Sequence, residues 1–152
     1  MLFNDIYSMF LSRITDDLYV TLTDDETKAI LGELFRTAIL HYEFPTFDLN
    51  QILIDLASGS DSTSVELTYN EQLVITYYMM VEWLGRQLFN IDYTQQRAGG
   101  GDFTLNAPGP IIARLKELLE QYELKGLAQR RMIGRKGQFS PTNPTSFWDE
   151  LS

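Results

Sequence analysis

A chain of 152 residues, 44% of them hydrophobic and 12% aromatic, is long enough to bury one core and too apolar to stay unfolded. It has no cysteine, which excludes disulfide frameworks and thiolate metal sites and suits assembly in a reducing cytoplasm. A formal net charge of −9 sets the body against phosphate binding, and the longest apolar run, residues 73–81, is far short of the roughly 18 residues that a membrane span needs.

The first stretch, MLFNDIYSMFLSRITDD, lacks both a basic leader and a small-residue cleavage site, so it does not read as a signal peptide. Leu2, Phe3, Ile6, Met9, Phe10 and Ile14 recur at helical spacing within it, which predicts an amphipathic helix over 2–14. Asp16, Asp17 and the piece LYVTL end that helix. Thr23 and Glu26 then form a capping box, in which each side chain satisfies a backbone N–H left free at a helix start. The carboxylates of Asp24, Asp25 and Glu26 fall in the first turn, where the helix dipole favours negative charge, and this accounts for the triplet without a metal or an acid/base site.

A second helix follows, with Ile30, Leu31, Leu34, Phe35, Ala38, Ile39 and Tyr42 on one stripe. His41, the only histidine, lies at the stripe's edge and reads as a boundary residue, because no second histidine or cysteine stands ready to complete a zinc site. Pro45 ends the segment. Asp48 is a plausible N-cap for a short helix carrying Leu49, Ile52, Leu53 and Leu56, and ASGSDSTS at 57–64 reads as an exposed loop.

The strongest signal is LTYNEQLVITYYMMVEWLGRQLFNID, residues 67–92, a long helix opened by a second capping box, Thr68 with Glu71. Leu73, Val74, Tyr77, Tyr78, Met80, Val81, Leu84, Leu88, Phe89 and Ile91 share one half of its cylinder, and Glu82 and Arg86 are spaced as a surface pair on the other. Ile75, Met79 and Trp83 break the pattern as an apolar ridge on the polar side. They call for a second burial partner, either a neighbouring copy or another helix of the same chain.

Residues 92–110, DYTQQRAGGGDFTLNAPGP, form a loop that lacks the Lys and hydroxyl of a phosphate cradle. Pro108 and Pro110 suit the start of a last helix, whose narrow stripe holds Ile111, Ile112, Leu115, Leu118, Leu119 and Tyr122. Beyond Arg131 the periodicity fails, so a helical body over 1–131 and an extended arm over 132–152 are expected. The arm keeps Phe139, Phe147, Trp148 and Leu151, anchors of the kind docking segments use, unless it folds back on its own bundle.

Charge divides along the same line. Residues 1–105 hold 5 Lys/Arg against 16 Asp/Glu, whereas residues 106–152 hold 7 against 5. Arg130, Arg131, Arg135 and Lys136 sit just before the aromatic anchors, placed to meet an acidic partner or nucleic acid. No nucleophile stands beside a base, no carboxylate pair stands out as acid and base, and no ligand cluster implies a metal or cofactor, so an enzyme is not expected.

The element order resembles the small helical neck proteins of tailed bacteriophages, the head-to-tail connectors or adaptors. FLSRITDDLYVTLTDDETKAILGELFRTAILHYEFPTFDL is followed by the long helix with Met80, Glu82, Trp83 and Leu84, then Asp102 and Phe103, then IIARLKELLEQYE. The similarity covers residues 10–131; the run of three glycines at 99–101 and the long aromatic tail depart from it. It implies an all-α bundle of four to five helices with no catalytic activity, in a virion neck assembled in the host cytoplasm. Its partners there would be copies of itself in a ring of about twelve, the portal protein and the next neck or tail-completion protein, with DNA passing through the channel. The alternative from another class is a nucleic-acid-binding regulator that uses the basic C-terminal segment.

Overall fold

The computed structural model describes residues 1–14, 22–43, 45–98 and 109–138, with side chains described throughout except at 92–98 and 136–138. Five α-helices make up the described residues: α1 (Phe3–Leu11), α2 (Asp24–Leu40), α3 (Leu49–Ala57), α4 (Tyr69–Ala98) and α5 (Gly109–Gln138). Strand-like pairing among them is limited to one isolated bridge, Leu2 with Ser62, so the chain is all-α as its periodicity implied.

Local chemistry sets the helix starts. At α2 the Thr23 hydroxyl accepts from the Glu26 N–H while the Glu26 carboxylate accepts from the Thr23 N–H at 3.0 Å. At α4 the Thr68 hydroxyl accepts from the Glu71 N–H at 3.3 Å, and Glu71 accepts from the Thr68 N–H at 2.7 Å and also from the Thr46 hydroxyl at 2.7 Å. The carboxylate of the second box is therefore buried and tied to the preceding loop, with Glu71 only 6% exposed. Asp48 caps α3 through the Gln51 N–H at 3.1 Å.

Helix α4 is the hub, packed against α1, α2 and α5. A helix surrounded on several sides has no single buried face, so its core takes Val74, Met80 and Leu84 from the half-cylinder the apolar pattern marked and adds Ile75, Thr76 and Met79 from the other side. Tyr77, Tyr78 and Val81 are half-buried and Phe89 is 68% exposed. The buried Thr76 hydroxyl is satisfied by donating to the Gln72 carbonyl at 2.8 Å. Nor do Glu82 and Arg86 pair with each other: Glu82 meets His41 at 2.6 Å and Arg86 meets Glu33 at 3.5 Å, so both tie α4 to α2 and its C-cap.

Helix α1 lays Phe3, Ile6, Tyr7 and Phe10 into the core, with the Phe3 and Tyr7 rings edge-on to Phe35 of α2 at 5.4 and 6.3 Å. Each such pair adds about 1 kcal/mol to the burial itself. The 57–64 stretch is mostly exposed, as expected, but it also docks the chain start: Phe3 donates to the Asp61 carbonyl and Thr63 to the Met1 carbonyl, and Thr63 is buried. Gly59 turns the chain there with φ +74°, a conformation that disfavours any side chain.

Helix α5 runs antiparallel to α4, since Tyr122 stacks near Tyr77 with ring centroids 5.9 Å apart and Gln129 donates to Asn70 at 3.1 Å. It does not end at Arg131. The helix continues through 132–138, which moves the end of the helical body past the expected boundary of the arm. Gly134 and Gly137 each weaken that last stretch by about 1 kcal/mol, but Ile133 packs against the core and no proline interrupts before Pro141.

Candidate interaction surfaces

The ridge of Ile75, Met79 and Trp83 is taken up by the chain's own helices. Ile75 and Met79 are fully buried and Trp83 packs partly buried against the same core, so these three do not offer a surface to a neighbouring copy. Of the basic candidates, Arg130 turns inward. Its side chain is 19% exposed and its guanidinium meets Glu43, just past α2, at 3.2 Å. Arg131 and Arg135 point to solvent, while Lys136 lies in α5 with its side chain outside the described residues. Phe139, Phe147, Trp148 and Leu151 all fall outside the described residues.

What the sequence reading missed is the outer face of α5. Because its inner stripe lies on α4, Leu124, Ala128 and Met132, spaced four apart, form a ridge facing away from the body, with Leu124 66% and Met132 50% exposed. Lys125, Arg131 and Arg135 flank it, and Lys125 sits 4.9 Å over the Tyr122 ring. The signal was present in the sequence as three apolar residues at i, i+4 and i+8 among basic ones, hidden by attention to the seam on the other side.

Two of the concave regions among the described residues lie between helices. A groove of about 680 Å³ lies among α1, α2 and α3, with Tyr7, Ala29, Gly32, Leu53 and Leu56 in its lining and Asp25, Lys28, Glu33, Arg36 and Asp61 among its charged residues. Lys28 and Asp61 pair across it at 3.3 Å. Burial, reinforced by the Asp61 carboxylate, pushes the Tyr7 phenol up to about 12. A second cleft of about 540 Å³ runs between α4 and α5 and is lined by His41, Glu82, Arg86, Phe89, Leu119 and Glu123. Beside it, burial raises the Tyr78 phenol, opposed by Arg130 and helped by Glu43. Among the described residues, no three His, Asp or Glu side chains come together in a way that could hold a metal ion.

Comparison with protein-family models, curated proteins and solved structures finds no match to this chain. The fold and surfaces define a small helical protein with an acidic body and one long helix carrying an outward basic and apolar ridge.

Proposed function

We propose that this chain is a structural adaptor of a tailed-phage neck, forming a ring on the portal and joining it to the next neck or tail-completion protein. The observation that carries the reading is the separation of faces. An acidic body of short helices is gathered round α4, while α5 turns Leu124, Met132, Arg131 and Arg135 outward. A protein that must meet copies of itself on one side and different proteins above and below needs such chemically distinct surfaces. The resemblance in element order, with Met80, Glu82, Trp83 and Leu84 on the central helix, supports the same assignment. In this reading the chain catalyses no reaction and takes no cofactor, and it belongs to the assembled virion.

Residues 139–152 supply the attachment to the portal through Phe139, Phe147, Trp148 and Leu151, with Arg131, Arg135 and Lys136 orienting the encounter. In this reading the helical body, which runs through residue 138, stays folded when 139–152 are removed. The test is electron microscopy of the parent and the deleted chain, each with and without the cognate portal. The parent is expected to form an axial ring on the portal, and the deleted chain is expected to keep its helical circular dichroism while losing stable attachment. The exposed arginines of α5 also favour a regulator that binds nucleic acid. Failure to bind the portal, together with DNA binding that falls steeply with added salt, establishes that reading instead.

A further inference from the structure

We propose that the groove among α1, α2 and α3 receives the outer ridge of α5 from a second copy of this chain, so that copies join head to tail. The proposal rests on the ring reading and names the surfaces that would build it.

The two surfaces suit each other in apolar character and in charge. The ridge is a row of apolar side chains, Leu124, Ala128 and Met132, on one face of α5, and the groove is a gap of about 680 Å³ among three helices with Leu53, Leu56, Ala29 and the Tyr7 ring in its lining. Between Leu124 and Gln138 the chain has five basic residues and no acidic one. Of the groove's carboxylates, Asp61 already pairs with Lys28 and Glu33 with Arg86, so the negative charge it offers is Asp25 with the exposed Asp24 and Glu26 beside it in the first turn of α2, against the cation Arg36.

The two surfaces cannot meet within one molecule. Helix α5 is fixed along α4 by the Tyr77–Tyr122 stack and by the close approach of Gly126 to Tyr78, which holds the ridge away from the body, and no residue of α5 lines the groove. A surface that fits a different surface on an identical copy is heterologous, and repetition of such a contact closes into a ring when the rotation allows. Two large apolar anchors fall short of the roughly 1,200 Å² of a stable isolated interface. Each contact is therefore weak, and closure of the ring in solution holds the copies by avidity.

The experiment uses full-length chains that each damage one surface at an exposed position: Leu124→Asp on the ridge and Ala29→Arg in the groove. Sedimentation velocity over a concentration series reads association, and unchanged circular dichroism and melting temperature certify folding. Each variant alone is expected to need about tenfold or more higher concentration to associate than the parent. At the top of the concentration series an equimolar mixture is expected to give one-to-one dimers that grow no further, because one intact ridge and one intact groove remain between the two chains.

Either variant associating like the parent overturns the proposal, as does a mixture that forms no dimer. Loss of association only on removing 139–152 also overturns it and gives the groove to the C-terminal segment. A parent that stays monomeric in solution yet forms a ring on the portal overturns this contact and leaves the ring reading standing. A parent that forms a ring neither in solution nor on the portal overturns both.

Discussion

Trp83 carries an indole N–H inside the packed interior with no acceptor in reach. A desolvated donor left unpaired costs about 1–3 kcal/mol, so the residue is kept for the shape and area of its ring, which packs against the core beside Ile75 and Met79. The two contributions separate by substitution. Trp83→Ala removes the packing and is expected to lower stability by about 3 kcal/mol, seen as a fall in the urea midpoint. Trp83→Phe keeps most of the ring and deletes the orphan donor, so it is expected to lie within about 1 kcal/mol of the parent. If the phenylalanine variant loses as much as the alanine variant, the N–H has a partner that outweighs the burial cost. The residue was singled out in the sequence for the right reason, an aromatic where a one-faced helix has no use for one. Which partner covered it was not legible, because periodicity describes a helix's own faces and says nothing of how many neighbours it will have.

At one point the approach of α5 to α4 leaves room for glycine alone. Gly126 is the one buried position along the described side chains of α5, and a Cβ there would lie 2.8 Å from the Tyr78 ring. Gly85 and Gly134, in the same two helices, have nothing within 4 Å of an added Cβ. The helix propensity gain of alanine over glycine, about 1 kcal/mol, applies at all three sites. At Gly126 it is opposed by an overpacking cost of roughly 1–3 kcal/mol, since the ring must shift against its neighbour His41. Thermal melts are therefore expected to rise by a few degrees for Gly85→Ala and Gly134→Ala and to hold or fall for Gly126→Ala. A Gly126→Ala protein as stabilised as the other two shows that Tyr78 yields without cost. The same comparison explains why the C-terminal half of α5 was hard to read. Its glycines, 126, 134 and 137, resemble helix breakers in sequence, yet one marks a close helix approach and the others are tolerated in a helix long enough to absorb them.

Across the whole molecule, the order and type of the elements were legible because capping boxes and 3.6-residue periodicity are local, and the boxes at Thr23 and Thr68 formed as expected. The groove was not legible, since it arises where α1, α2 and α3 meet, and neither was the tie between the chain start and residues 61–63. That assembled state also sets the response to pH, from both ends. Hydrogen bonds from Thr63 and then Gln51 hold the Asp55 carboxyl below its usual range, and the Thr23 backbone N–H and hydroxyl do the same for Glu26. With a lowered folded pKa, the unfolded chain binds more protons as pH falls, so stability present at neutral pH is lost as pH drops through the folded values. Burial raises Tyr7 and Tyr42 to about 12, aided by Asp61 and Glu71 respectively. Here the folded chain keeps protons that the unfolded chain gives up near the ordinary tyrosine value of about 10, so stability is complete below that pH and is lost as pH rises from there towards 12. Melting temperature against pH is expected to show a neutral plateau with a fall on each side. Asp55→Asn should flatten the acid fall and Tyr7→Phe the alkaline one, each leaving the opposite limb unchanged. A Tyr7→Phe protein with the parent's full alkaline loss would place that loss on Tyr42 and its neighbours Glu71 and Arg130, at the joint between α2, α4 and α5, rather than at the groove.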